Sequence, residues 1–283
     1  MVYFVFVIRL DRWVRERDRV LLMGVINVTP DSFFPASRVL SPRLAVECAQ
    51  RMVEDGADIL DIGGESTRPG AAPVSVDEEL ERVLPVIEKV HSECDVVLSV
   101  DTTKADVARE ALARGASIVN DTSALQADPE MAPLVAERSA YVVLMHMQGT
   151  PRTMQQAPHY NDVTAEVLEA LDARVQAAAR CGIARDRVFI DPGIGFGKRL
   201  EHNLALLRNI DRFAATGLPV VVGVSRKSFL GDLLGLPAAE RLEGTLAAQA
   251  VAVALGADIL RVHDVREGRR AADTARRLRK DAA

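Results

Sequence analysis

Short apolar, β-branched runs recur along the chain, each followed by a stretch in which apolar residues return every three or four positions. The runs occupy 20–28, 58–62, 96–101, 117–120, 141–146, 188–191, 219–223 and 258–262, and their unbroken apolar character is that of strands covered on both faces. The stretches between them, 43–55, 76–92, 104–114, 129–138, 162–181, 202–212, 239–255 and 265–280, read as amphipathic helices. Leu80, Val83, Leu84 and Ile87 share one helix face, as do Leu168, Leu171 and Val175, and these are core positions. Gly56-Ala57-Asp58, Gly115-Ala116-Ser117 and Gly256-Ala257-Asp258 each set a glycine where a helix ends, just ahead of the next strand.

Eight strand–helix repeats in roughly 250 residues predict a parallel sheet closed into a (β/α)8 TIM barrel, in preference to an open doubly wound sheet. The barrel spans 20–283 as a single domain, with 1–19 as an N-terminal extension. The apolar residues 1–8 read as a strand, half of a hairpin with 20 onward, covering one end of the fold. That run is too short to cross a membrane, lacks a leading basic region and meets Arg9 and Asp11 at once.

Composition removes several classes of function. Of 283 residues, 48% are hydrophobic and 27% charged, enough for a sizeable core. Thirty-five Lys and Arg against 40 Asp and Glu give a net charge of −5 with no basic stripe, which argues against a nucleic-acid partner. Cys48, Cys94 and Cys181 are widely spaced without a CxxC pair, so neither a disulfide framework nor a cysteine zinc site is expected, and a reducing cytoplasm suits them. No stretch approaches transmembrane length, so no membrane partner is expected. Arg269, Arg270, Arg276 and Arg277 read as solvated helix surface.

In this barrel class the chemistry gathers where strands end. The exits carry Asn27; Asp61 with the loop Gly63 to Gly70; Asp101; Asn120-Asp121; Met145-His146; Asp191-Pro192-Gly193 through Lys198; Ser225-Arg226-Lys227-Ser228; and Arg261-Val262-His263-Asp264. Singly, a strand-end Asp or Asn caps the next helix as readily as it binds a ligand, Asp191-Pro192-Gly193 reads equally as a tight turn, and His146 reads as structural. The glycines of 193–198 have neither Walker A nor dinucleotide-binding spacing. Polar groups at all eight exits change the balance, because desolvating them without a ligand is costly. Asp101, Asn120 and Asp191 suit a flat heterocycle rich in N–H groups, since a carboxylate facing a guanidine-like edge makes two parallel hydrogen bonds. Asn27, Thr67, Arg68, Arg261 and His263 suit a phosphate or diphosphate. Lys227 sits between the two groups, and Ser228 is expected to cap a short helix over 229–234 whose N-terminus attracts a carboxylate.

Met23-Gly24-Val25-Ile26-Asn27-Val28-Thr29-Pro30-Asp31-Ser32-Phe33, Gly63-Gly64-Glu65-Ser66-Thr67-Arg68-Pro69-Gly70, Asp191-Pro192-Gly193 with Gly195-Phe196-Gly197-Lys198, Ser225-Arg226-Lys227-Ser228 and Arg261-Val262-His263-Asp264 closely resemble the dihydropteroate synthase family, from about residue 20 to about 275. The resemblance implies a folate-pathway transferase that joins 6-hydroxymethyl-7,8-dihydropterin diphosphate to 4-aminobenzoate. By motif position it implies that Asp101, Asn120, Met145, Asp191 and Lys227 hold the pterin. Thr67, Arg68, Arg261 and His263 would hold the diphosphate, and Asn27 a Mg²⁺ bridging to it. Phe33, Pro69, Phe196, Lys227 and Ser228 would frame the aminobenzoate, with Asp101, Lys227 and Arg68 as the catalytic set. A homodimer through the late helices is implied as well.

The chain departs from the family pattern in two places. Phe34-Pro35-Ala36-Ser37 stands where the family usually has Ser-Asp-Gly-Gly, and Pro35 stiffens what the resemblance makes a moving loop. Thr103 stands where Ser is usual. Two other readings remain: a pterin-binding paralogue or a methyltransferase-type barrel, whose relatives lack Ser-Thr-Arg-Pro together with Ser-Arg-Lys-Ser, and an aldolase using Lys227, which has no evident acid–base partner.

Overall fold

A strand that is apolar on both faces must be covered on both, and a ring of such strands inside a ring of helices satisfies this with no exposed edge. The computed structural model describes residues 10–14, 16–29, 42–68 and 70–279 and has this arrangement. Strands β1 (Leu21–Asn27), β2 (Ile59–Gly63), β3 (Val97–Asp101), β4 (Ala116–Asp121), β5 (Tyr141–Met145), β6 (Val188–Asp191), β7 (Val221–Val222) and β8 (Ile259–Val262) follow the expected runs. They pair in the order β6-β5-β4-β3-β2-β1-β8-β7, and a parallel bridge from Ile190 to Val220 joins the two ends. β7 is the shortest: Pro219 has no N–H to donate, and pairing with β8 is confined to Val221 and Val222.

The helices outside are α1 (Pro42–Glu54), α2 (Val76–Glu93), α3 (Ala105–Ala113), α4 (Met131–Arg138), α5 (Val163–Arg180), α6 (Leu200–Arg208), α7 (Ile210–Ala214), α8 (Ser228–Leu234), α9 (Leu242–Ala254) and α10 (Val265–Leu278). The glycines read as helix ends, Gly56, Gly115 and Gly256, all have positive φ, between +101° and +116°. Asp162 caps α5, accepting from the Thr164 and Ala165 N–H groups at 3.0 Å. The stretch read as one helix over 202–212 is two, α6 and α7. They meet at Asn209, which leaves helical geometry at φ −118°, ψ 26° and turns its amide onto the Ala205 carbonyl at 2.8 Å.

Alternation along the strands decides what faces inward. Leu21, Met23, Ile59, Val97, Ile118, Tyr141, Val143, Phe189, Val221 and Ile259 form one cluster inside the barrel. Their neighbours, such as Leu22, Leu60, Leu98, Val142 and Leu260, join the cluster shared with the helices. Stepping on by two from the inner series reaches Asn27, Asp61, Asp101, Asn120, Met145, Asp191 and Arg261. The barrel interior is apolar at its N-terminal end and polar at its C-terminal end.

The N-terminal end is plugged. Residues 10–14 are helical; Leu10 and Trp13 are buried in the inner cluster, with Trp13 edge-on to Phe189 at 6.2 Å. The strand expected at 1–8 lies outside the described residues. Pairing with β8 on one side and β2 on the other leaves β1 no free edge for a hairpin partner. Arg269, expected on the solvated surface, instead reaches under the barrel, donating to the Val20 carbonyl at 2.9 Å and to Asp58 at 3.3 Å. Among the described residues no helix is long and apolar enough to cross a membrane.

Candidate active site

Strand register sets the polar layer. Asp101 at the end of β3 lies beside Gly63 on β2 and Asn120 on β4, and Met145 on β5 lies beside Asp191 on β6. Asp101 and Asn120 are buried and cap no helix; the first N–H of α3 is taken by Asp128 at 2.8 Å. Arg261 on β8 crosses to both acids, donating from Nε to Asp61 and from Nη2 to Asp101, each at 2.7 Å. Asn120 donates to the same oxygen of Asp61 at 2.9 Å. One arginine, two carboxylates and one amide thus form a single network on the barrel axis, with Oδ1 of Asp61 lacking a hydrogen-bond partner among the described residues.

The electrostatics follow from burial. Desolvation raises the Asp101 pKa, opposed by Arg261 and reinforced by Asp61, Glu79 and Asp121. Burial works against the Arg261 charge, but Asp61 and Asp101 outweigh it and raise its pKa. Burial likewise raises Asp191, opposed chiefly by Lys227. Lys227 is pulled down to about 8 by burial, opposed by Asp191. Its Nζ donates to the Ile194 carbonyl and lies 4.6 Å from the Phe196 ring centroid.

Asp191 also accepts the Gly193 N–H at 2.7 Å, so the tight-turn reading is correct. Gly193 has φ +66°, and a Cβ there would stand 1.8 Å from the His146 carbonyl oxygen, so only glycine fits.

On the opposite side of the mouth, Ser225 Oγ accepts the His263 N–H at 3.2 Å and stands 2.9 Å from Nδ1. Burial first and Arg261 second lower the His263 pKa to about 4, which favours the neutral ring. Arg226, at φ +54°, holds Asp264 in a two-pronged ion pair at 2.8 and 2.9 Å and donates to the Ala238 and Ala239 carbonyls. It ties the β7 exit to the β8 exit.

A cavity of about 460 Å³ opens beside Asp101, lined by Ser66, Thr67, Thr103, Gln126 and Met147 among others. It brings Thr67 to the same space as Asp101, while Arg68 and Asn27 are half-exposed on the rim. Glu65, at the head of the Thr67-Arg68 loop, is held by Lys104, which also meets the fully buried Glu79 at 2.5 Å. Ser228 does not cap α8: Lys227 is the N-cap residue, Ser228 is the first helical residue and is exposed, and no side chain caps this N-terminus. The expected aminobenzoate residues Phe33 and Pro69, and the divergent 34–37, lie outside the described residues. Sequence reasoning left out Asp61, which it named only as a strand exit. Its signal was its place two residues after Ile59 in the inward series of β2.

Comparison with known proteins agrees with this geometry. A family model described as "Pterin binding enzyme" matches residues 23–263. Dihydropteroate synthase of Escherichia coli (strain K12) is 48% identical over 246 residues, covering 87% of each chain. That of Synechocystis sp. is 46% identical over 248 residues, covering 87% of this chain and 86% of the other. The structure of Yersinia pestis dihydropteroate synthase with a sulfonamide drug complex superposes with a TM-score of 0.90 at 43% identity, covering 93% of this chain and 95% of that one. Xanthomonas albilineans dihydropteroate synthase with 4-aminobenzoic acid gives a TM-score of 0.86 at 45% identity, covering 93% and 94%. With the whole barrel and its strand-end motifs matched in this way, the chain belongs to the dihydropteroate synthase family of pterin-binding enzymes.

Proposed function

We propose that this chain condenses 6-hydroxymethyl-7,8-dihydropterin diphosphate with 4-aminobenzoate, giving 7,8-dihydropteroate and diphosphate. The observation that carries the reading is the inward-facing set Asp101, Asn120 and Asp191 on three strand exits, with Arg261 and Lys227 beside it. Short acceptors on a buried wall match the edge of a pterin; Arg261, expected at the diphosphate, is instead bonded to Asp61 and Asp101 within that wall, leaving half-exposed Arg68 as the cation for a diphosphate tail.

The chemistry is a displacement at the methylene carbon. The bond to the diphosphate oxygen breaks with its electron pair leaving on diphosphate, and the methylene carbon, conjugated with the pterin ring, becomes cationic. Asp101, kept close to Arg261, is the carboxylate placed to stabilise that charge. Arg68, with Thr67 and His263, receives the leaving group. The arylamine nitrogen forms the new bond and gives up one proton to the released diphosphate, so no enzyme nucleophile is required. Lys227 and the Phe196 ring wall the space where the aminobenzoate carboxylate and ring would lie, and the reaction requires water to be kept from the cation.

Mg²⁺ belongs to this proposal, with Asn27 as its protein ligand. The described residues hold no group of three or more His, Cys, Asp or Glu able to bind a metal. A single amide oxygen suits an ion that takes its other oxygens from diphosphate and water. When bound it supplies neutralising charge to the leaving group. We also propose a homodimer through the late helices, supported by exposed Val251 on α9 and exposed Leu233 and Leu234 on α8. The thiols of Cys48, Cys94 and Cys181 support a cytoplasmic setting.

The test is to incubate the protein with the pterin diphosphate, 4-aminobenzoate and Mg²⁺, and to quantify dihydropteroate. Product formation that needs both substrates and is competitively blocked by sulfamethoxazole against aminobenzoate supports the proposal. Tight pterin binding without product would make the chain a binding protein, and a borohydride-trapped adduct on Lys227 would make it an aldolase.

A further inference from the structure

The loop after β6 has its carbonyls captured one after another by side chains from separate parts of the fold. Ile194 is held by Lys227, Gly195 by Gln155 at 3.0 Å, Phe196 by Lys198 at 2.9 Å and Gly197 by the Tyr160 hydroxyl at 2.9 Å. Lys198 stands apart chemically. It is only 3% exposed, and besides the Phe196 carbonyl its Nζ meets Nδ1 of His146 at 3.0 Å and the His146 carbonyl at 3.3 Å. Burial lowers the Lys198 pKa to about 7, opposed by Asp191, and its nitrogen is surrounded by three partners that can accept from it. Burying it is costly without them, so a lysine at this place needs a reason beyond closing a loop.

The three contacts join two points that matter. His146 is the first residue past β5, and Phe196 carries the ring that lies 4.6 Å from the Lys227 ammonium. We propose that Lys198 is a positioning residue for the arylamine subsite: by fastening the Phe196 backbone to the β5 exit, it holds the Phe196 ring against Lys227. The inference rests on the synthase reading. It is consistent with His146 acting as an acceptor, since burial keeps that ring neutral at physiological pH. It also accounts for the crowding at Gly193, where a Cβ would meet both the His146 carbonyl and, at 3.4 Å, Lys198 Nζ.

The experiment compares KM for the two substrates in wild type, Lys198→Met and Lys198→Gln, with thermal unfolding of each. Losing the hydrogen bond to the Phe196 carbonyl should raise the aminobenzoate KM up to about tenfold in Lys198→Met. The pterin diphosphate KM should stay within about twofold, a smaller change than one hydrogen bond is worth. Lys198→Gln, which keeps an N–H for the Phe196 carbonyl, should fall between wild type and Lys198→Met. If both KM values move together, or the aminobenzoate KM is unchanged in whichever variant folds, the inference fails. If neither variant folds, it fails too, because Lys198 would then serve the fold and not the subsite. A wild-type chain that makes no dihydropteroate would sink the synthase reading itself, a separate outcome.

Discussion

Arg261 Nε and Asp61 Oδ2 meet at 2.7 Å although 200 positions separate them in the chain. Asp61 takes the Asn120 amide on the same oxygen, so one carboxylate orients a residue of β4 and a residue of β8. Asp61→Ala should therefore disturb the pterin wall without touching the reacting carbon. Removing one partner of a buried charged network costs about 3 kcal/mol, visible as an earlier urea midpoint. The pterin diphosphate KM should rise by more than about tenfold, the worth of one charge-assisted hydrogen bond. Unchanged KM would mean that Asn120 and Arg261 are oriented without Asp61.

In the proposed reaction Asp101 acts on developing positive charge. Asp101→Asn keeps size and a hydrogen-bond acceptor and removes the charge, so kcat should drop about 10²- to 10³-fold, the usual worth of one transition-state electrostatic contact. The aminobenzoate KM should change little. Full turnover with weakened aminobenzoate binding would overturn the cation-stabilising role.

Much of this is legible in the sequence because it is local. Each strand is a run of β-branched residues, each helix an amphipathic period, and each site group sits at a run's end, so the ends of the runs alone locate Asp101, Asn120 and Asp191 on one rim. What stays hidden depends on residues meeting across the barrel. Nothing near Asp61 shows that its partners are Asn120 and Arg261, and nothing near Lys198 shows that His146 faces it. Ser228 looks like a cap by residue type, yet the chain enters α8 one residue earlier, at Lys227. Arg269 looks solvated by helix face, yet Asp58 and the Val20 carbonyl draw it beneath the barrel.

Lys227 gives a pH dependence of definite sign. With its pKa pulled down to about 8, it carries its charge below that pH and loses it above. The aminobenzoate KM should stay flat at lower pH and climb above about 8, toward tenfold per pH unit. Stability should move the other way. Between about 8 and the ordinary 10.5 the unfolded chain binds the proton and the folded chain does not, so this group's contribution to stability grows as pH rises. Lys227→Met should flatten both trends; a KM profile with the same break in that variant would remove Lys227 from the subsite.

Arg226 holds a left-handed backbone at φ +54°, a conformation that costs a side-chain-bearing residue about 1 kcal/mol. Its bidentate pair with Asp264 keeps it there, setting Ser225 toward His263 on one side and Lys227 toward Ile194 on the other. A double-mutant cycle with Arg226→Ala and Asp264→Ala should show coupling of about 2 kcal/mol in unfolding free energy. Arg226→Lys should not restore activity, since an ammonium lacks the two-pronged geometry. Additive effects in the cycle would reduce the pair to a surface contact.

Trp13 tests whether the two ends of the barrel are separable. It is the chain's one tryptophan, 6% exposed, edge-on to Phe189 and bonded from Nε1 to the Arg19 carbonyl at 2.9 Å. Phe189 lies on the inner face of β6, two residues before Asp191, so the plug and the pterin wall share a strand. If the apolar layer between them only supports the barrel, Trp13→Ala should cost about 3–5 kcal/mol of stability, as large aromatic truncations in cores do. Both KM values should then stay at wild-type level at a temperature where the variant remains folded. The wild-type tryptophan fluorescence should change in the same transition as the far-ultraviolet circular dichroism, as it must if the plug unfolds with the barrel. A raised pterin diphosphate KM in folded Trp13→Ala would show instead that the position of Asp191 depends on what fills the opposite end of its own strand.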